Sequence, residues 1–268
     1  MEVARPASME LIQQCIPAWH PPAKTFPDLD SETAHIWRIP LDESLTGKVV
    51  SRCRRILAPE EIERAKAFRS PAQGNQFILY RGALRLLLSR YTRYWAGRIR
   101  YSYGANGKPT LKHPRFFPSG TDLEFSVSNS GDFALVGVTR GRPFGLDIER
   151  IRPIGDATDQ VARFFTSNEK QDLADLPHEH RIHGFFNGWT RKKAFVRALG
   201  EGFAQTMPRT EVTLKPGTPS RLKRHALLPG DEARWMMFSF EPAPGYTAAI
   251  AIKSTRTDLS FRDFSFDC

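Results

Sequence analysis

From residue 35 the chain alternates apolar and polar positions through H-I-W-R-I-P-L, the period of two that a half-buried strand requires. A-P-E-E-I-E-R-A-K-A-F at 58–68 then predicts a helix, with Pro59 in its first turn and acids ahead of bases. A longer helix is predicted over 76–91, where Phe77, Leu79, Leu84, Leu86, Leu87 and Leu88 are interleaved with Arg81, Arg85 and Arg90. Strand-like runs follow at 98–103, 123–128, 133–139 and 144–151, separated by A-N-G-K-P, N-S-G-D and R-G-R-P. Spacing this close predicts antiparallel pairing through tight turns. After Pro153 the helical pattern returns: Thr166 and Glu169 have the T-x-x-E spacing of a capping box, and a longer helix falls within 182–199. Strands at 235–240 and 246–252 close the chain, with a weaker candidate at 211–214.

The order is strand, helices, strands, then strand, helices, strands, meeting near 140–143. An α+β chain of two similar halves is therefore expected, with an N-terminal extension over 1–34, an N-terminal half over 35–142 and a C-terminal half over 143–268. The extension contains several prolines and little periodicity, as a strap or tail would. No internal repeat is visible in the letters themselves.

Composition adds one strong signal. The 268 residues carry a net charge of +10 and a pI near 9.8, a surface that steers acidic partners toward it. No apolar stretch approaches the roughly 20 residues that span a bilayer. The start M-E-V-A-R-P lacks the order of a secretory signal, so a cytoplasmic protein with no membrane partner is expected. Cys15, Cys53 and Cys268 are odd in number and lack metal-ligand spacing, which favours reduced thiols over a disulfide framework.

Candidate chemistry concentrates in two segments about forty residues apart. In G-L-D-I-E at 145–149, Asp147 and Glu149 lie two apart on a strand and share a face, where both carboxylates can reach one cation. In W-T-R-K-K-A at 189–194 and just beyond, Trp189, Lys193 and Arg197 recur every four residues along a helix face, with Lys192 beside them. Acids for a hard cation on one element and bases for phosphate on the next suit a site that handles a diphosphate. Three other features have plainer readings. His178, His180 and His183 do not form H-E-x-x-H; G-A-N-G-K-P is a turn rather than a phosphate loop. R-Y-T-R-Y-W-A-G-R-I-R-Y mixes bases with aromatics as single-stranded nucleic-acid surfaces do, and that reading ranks last.

Six segments in order resemble the 4'-phosphopantetheinyl transferases of the larger, surfactin-synthetase-activating type: P-E-E-I-E-R-A-K-A-F, N-G-K-P, F-S-V-S-N-S-G, G-L-D-I-E, R-F-F-T-S-N-E and W-T-R-K-K-A-F-V-R. The resemblance implies a pseudo-twofold monomer of two α/β halves, binding coenzyme A and magnesium, or manganese, in the cleft between them. It implies transfer of the phosphopantetheine arm of coenzyme A to a serine of an acidic acyl or peptidyl carrier protein, with release of 3',5'-ADP. It further implies that Asp147 and Glu149 bind the metal and that Lys108 and Pro109 of N-G-K-P, Ser128 and Lys192 contact coenzyme A. Arg197 stands where the family usually has a lysine near the pyrophosphate.

Two positions depart from that pattern. The family's W-[ST]-x-K-E-A has a glutamate that serves as third metal ligand or base, and here that residue is Lys193. Asn129 replaces the histidine of S-H-S beside coenzyme A. Three outcomes stay open: a two-carboxylate metal site completed by water and substrate, a slow enzyme, or a silent member that binds coenzyme A or a carrier protein. Glu201 is too far along the helix to replace the lost acid.

Overall fold

The computed structural model describes residues 15–22, 27–41, 47–112, 122–153 and 163–266. In chain order its elements are β1 (Thr33–Pro40), α1 (Gly47–Ile56), α2 (Pro59–Lys66), α3 (Pro71–Thr92), β2 (Tyr101–Tyr103), β3 (Pro109–Leu111), β4 (Leu123–Ser130), β5 (Phe133–Arg140) and β6 (Phe144–Arg150). They continue as α4 (Ser167–Ala174), α5 (His178–Leu199), α6 (Phe203–Thr206), β7 (Thr210–Val212), β8 (Leu222–His225), β9 (Trp235–Phe240), β10 (Tyr246–Lys253) and β11 (Asp258–Asp263). The class is mixed α+β.

Two compact units divide the chain between Arg142 and Pro143. Among the described residues, those from 257 onward group with the N-terminal unit and residues 15–17 with the C-terminal one. The expected halves of 35–142 and 143–268 put the last strand on the other side of that line. β11 pairs in parallel with β1, Thr33 opposite Asp258, and Arg38 holds Asp263 through Nε at 2.8 Å.

In the N-terminal unit the sheet order is β11-β1-β5-β4, and β5 pairs antiparallel with both of its neighbours. Ile78, Leu84, Leu87 and Leu88 of α3 share a buried core with Trp37, Ile39, Phe125, Val136 and Val138 of the strands. Pro71 opens α3, where a missing N–H costs nothing, and Arg93 ends it in the left-handed region at φ 52°. α2 begins with half a capping box: Glu61 accepts from the Ala58 amide at 2.9 Å, while alanine has no side chain to return the bond. Buried Glu61 also receives Arg81 Nε at 2.6 Å and Arg85 Nε at 2.7 Å. Those guanidiniums lie over Tyr101 at 4.6 and 5.3 Å, so several of the bases and aromatics of this region satisfy one another inside the fold.

The C-terminal unit has the sheet order β6-β10-β9, antiparallel throughout. α5 packs across it, burying Ala194, Phe195 and Ala198 against Trp235, Met237, Ala249 and Ala251. Gly200 ends α5 in the left-handed conformation at φ 72°, its amide bonding back to Val196 O at 3.0 Å. Here the capping box is complete: Thr166 Oγ1 accepts from the Glu169 amide and Glu169 accepts from the Thr166 amide. Each unit thus runs strand, long helix, hairpin, with the last strand central: β1-α3-β4-β5 and β6-α5-β9-β10.

Candidate functional site

β6 and the face of α5 above it run as a ladder. Two strand residues rise about 6.6 Å and four helical residues about 6 Å, so alternate positions of one keep step with every fourth position of the other. At one end Glu149 Oε1 accepts from Trp189 Nε1 at 3.2 Å and from Lys193 Nζ at 2.6 Å. In the middle Asp147 Oδ2 pairs with Lys193 Nζ at 3.1 Å, and Oδ1 with an Arg197 terminal nitrogen at 3.3 Å. At the other end a Cβ on Gly145 would stand 2.1 Å from Ala194 O and 2.4 Å from Ala198 N. That contact explains the glycine: only a residue without a side chain lets α5 come this close to β6. The alternate residues Phe144, Leu146 and Ile148 are fully buried.

Exposure rises along the charged set. Asp147 is fully buried, the Lys193 and Glu149 side chains are 16% and 19% exposed, and Arg197 is 29% exposed. A buried carboxylate is stable only when paired, and Asp147 meets that condition with two cations. Trp189 is more than core volume: besides stacking on Phe185 at 5.7 Å, its N–H holds Glu149. An indole largely enclosed by its neighbours favours a partner for that one donor, the signal in the sequence that could have shown it.

Lys192 faces away from this ladder. Its ammonium is fully buried, bonded to Glu169 Oε2 at 2.5 Å, and lies 5.2 Å over the Phe165 ring. Glu169 Oε1 takes the Val212 amide at 2.9 Å. Burial pushes the Lys192 pKa below its ordinary value, with Glu169 opposing. Lys192, expected as a phosphate contact, is thus placed in a buried ion pair, both side chains being fully enclosed. Glu201 receives Thr206 Oγ1 at 2.8 Å, beyond the helix end.

Lys108, Pro109, Ser128 and Asn129 belong to the N-terminal unit. Lys108 follows a turn in which Gly107 has φ 80° and Gly104 N donates to Lys108 O at 3.0 Å; its Nζ lies 3.5 Å from Glu124. Pro109 starts β3 opposite Tyr103. Ser128 is buried on β4 opposite Leu135, and Asn129, next along, is exposed.

The magnesium or manganese expected on Asp147 and Glu149 does not fit the pair as built. Two carboxylates on one face suit a hard dication. Here the Lys193 ammonium bridges them, Arg197 flanks Asp147, and among the described residues no group of three His, Cys, Asp or Glu is placed to hold a metal. A dication would have to displace Lys193.

Comparison with known proteins agrees with the order of the motifs. Residues 143–251 match the family model of the 4'-phosphopantetheinyl transferase superfamily. The chain is 33% identical over 222 residues to the 4'-phosphopantetheinyl transferase HetI of Nostoc sp., covering 83% of this chain and 88% of that protein. It is 28% identical over 214 residues to the 4'-phosphopantetheinyl transferase psf-1 of Bacillus pumilus, covering 80% and 86%. The corresponding values for the 4'-phosphopantetheinyl transferase Sfp of Bacillus subtilis are 25% over 215 residues, covering 80% and 90%.

Proposed function

The chain belongs to the 4'-phosphopantetheinyl transferase superfamily, and on that premise we propose that it moves the phosphopantetheine arm of coenzyme A onto a serine of an acyl or peptidyl carrier protein. The serine Oγ–phosphorus bond forms and the bond from that phosphorus to the bridging oxygen breaks. The bridging oxygen leaves on 3',5'-ADP with the electron pair, and the serine proton passes to solvent. The observation that carries this reading is the β6–α5 ladder, with Asp147 and Glu149 fixing the direction of Lys193 and Arg197.

In this reading Arg197, the most open of the four, meets the diphosphate with its guanidinium fork, and Lys193 offsets charge on the leaving oxygen. Asp147 and Glu149 position those two cations. Lys108, Pro109, Ser128 and Asn129 enter as coenzyme A contacts on the resemblance alone, and Lys108→Ala tests them through KM for coenzyme A. The net charge of +10 suits an acidic carrier, and we place the protein as a cytoplasmic monomer.

The test is to incubate the protein with coenzyme A and a panel of apo-carrier proteins, with magnesium and separately with excess EDTA, and to weigh the carriers by mass spectrometry. A mass gain of one phosphopantetheine is expected on at least one carrier. No gain on any carrier under either condition refutes the transferase reading, and coenzyme A binding by calorimetry without gain would establish a silent member.

A further inference from the structure

Lys193 occupies the seat between two carboxylates that a cation would take, at 3.1 Å from Asp147 and 2.6 Å from Glu149. We propose that this ammonium is a resident cation in place of a divalent metal ion, and that the protein transfers phosphopantetheine without magnesium or manganese. The proposal rests on the transferase reading for its chemistry, though not for its binding test.

Charge argues for it as strongly as geometry. With a glutamate in place of Lys193 and a lysine in place of Arg197, as in the pattern the chain resembles, the ladder carries three acids and one base, a net charge of −2. A divalent cation brings that to zero. In this chain Asp147 and Glu149 face Lys193 and Arg197, two acids and two bases, and the sum is zero with no metal. Exchanging one glutamate for one lysine adds the same two units of charge that the dication would bring. A dication entering this seat would meet a neutral cluster instead of a dianionic one, with an ammonium already at its centre.

The ammonium can also take over the ion's contact with substrate. It has three donors: Glu149 Oε1 takes a hydrogen bond at 2.6 Å, Asp147 Oδ2 lies at ion-pair distance, 3.1 Å, and the partly exposed side of the ammonium is the one that meets a phosphate oxygen. Trp189 Nε1 shares Glu149 Oε1 with Lys193, and Arg197 holds Asp147 through Oδ1, so the two acids stay in register with Lys193 between them. In the transfer step, negative charge grows on the bridging oxygen as its bond to phosphorus breaks. Lys193 and Arg197 supply two fixed positive charges to that oxygen, preset by the fold.

Mn2+ titration followed by electron paramagnetic resonance reads binding directly, with coenzyme A alone as the baseline. The wild-type protein is expected to leave the free Mn2+ signal unchanged up to about 1 mM, with and without coenzyme A, because the seat is filled. Lys193→Glu is expected to bind Mn2+ in the presence of coenzyme A, and Lys193→Ala to do so more weakly; circular dichroism checks that both fold. In the transfer assay the wild-type rate in EDTA should lie within about twofold of the rate in magnesium, while the Lys193→Glu rate should fall at least about tenfold in EDTA. Wild-type Mn2+ binding below millimolar concentration, or abolition of wild-type transfer by EDTA, overturns the proposal. If no carrier is modified under any condition the transferase reading fails, and the Mn2+ titration still decides whether Lys193 fills the seat.

Discussion

Replacing Lys192 with methionine separates a lysine that holds phosphate from one that holds the fold. The structure puts the pair Lys192 and Glu169 in full burial at 2.5 Å, with Glu169 also accepting the Thr166 and Val212 amides at 2.8 and 2.9 Å. Methionine keeps most of the stem volume and removes only the charge. It leaves a carboxylate enclosed with two amide donors and no counter-ion, and breaking one side of a buried pair costs about 3–5 kcal/mol. The two amide bonds soften that figure, so about 3 kcal/mol is the expected loss in a urea unfolding curve read by tryptophan fluorescence. Adding Glu169→Gln to Lys192→Met should recover a large part of it, because an amide is far cheaper to enclose than an unpaired carboxylate. For the protein that remains folded, KM for coenzyme A should be unchanged. A Lys192→Met protein as stable as wild type with a KM raised about tenfold or more would refute the structural assignment and restore the phosphate contact.

Gly145→Ala should destabilise the protein by about 2 kcal/mol or more, since α5 must lift off β6 at Ala194 and Ala198; it should also lower kcat by spreading Lys193 and Arg197 from Asp147, both read by unfolding and transfer assays. His35 is buried, with Tyr91 Oη at 2.7 Å from its Nδ1 and accepting from Trp37 Nε1 at 2.8 Å. Burial first, then the charge of Arg262, lowers its pKa from 6.5 to about 4. The folded state therefore binds the proton less readily than the unfolded chain. Stability from this residue is fully present above pH 6.5 and falls by up to about 3 kcal/mol as the pH drops toward 4; His35→Gln should lose that part of the slope in unfolding free energies measured between pH 7.5 and 4.5. Arg93→Gly should stabilise by about 1 kcal/mol, because exposed Arg93 sits at φ 52°, and an unchanged or lower melting temperature would count against strain there.

Legibility followed period and length. The strands expected at 133–139 and 235–240 and the helix expected within 182–199 are legible because one apolar rhythm persists over several turns or pairs; the structure has them at Phe133–Arg140, Trp235–Phe240 and His178–Leu199. α1 is not evident in the sequence although Val49, Val50 and Cys53 have helical spacing, since three arginines and a lysine within 48–55 mask it. β3, β8 and β11 are three to six residues long, and their partners, not their letters, make them strands. The run expected at 98–103 begins as a 3-10 turn over Ala96–Arg98 and is a strand only from Tyr101. At the site, the face shared by Asp147 and Glu149 and the four-residue spacing of Trp189, Lys193 and Arg197 were readable. The direction of Lys192 was not, because adjacent helix positions point about 100° apart and no letter says which one meets a buried glutamate.

The two units solve one problem in the same way. Each buries a glutamate three residues past a helix cap, Glu61 in one and Glu169 in the other, and each answers it from the long helix, with Arg81 and Arg85 or with Lys192. The capping role needs a carboxylate facing inward, toward the amide at the start of its own helix, and a carboxylate facing inward needs a cation. Bases of α3 and α5 are thereby committed to the fold. On the face of α5 toward β6 stand Lys193 and Arg197, which are themselves partly exposed and whose acids come from a strand; these are the cations our reading offers to a phosphate. A basic residue next to a family motif is thus assigned by the acid it faces and by that acid's own duties. By this rule Lys192, whose acid caps a helix, belongs to the fold, whereas Lys193, whose acids have no helix to cap, is the lysine we propose for the chemistry.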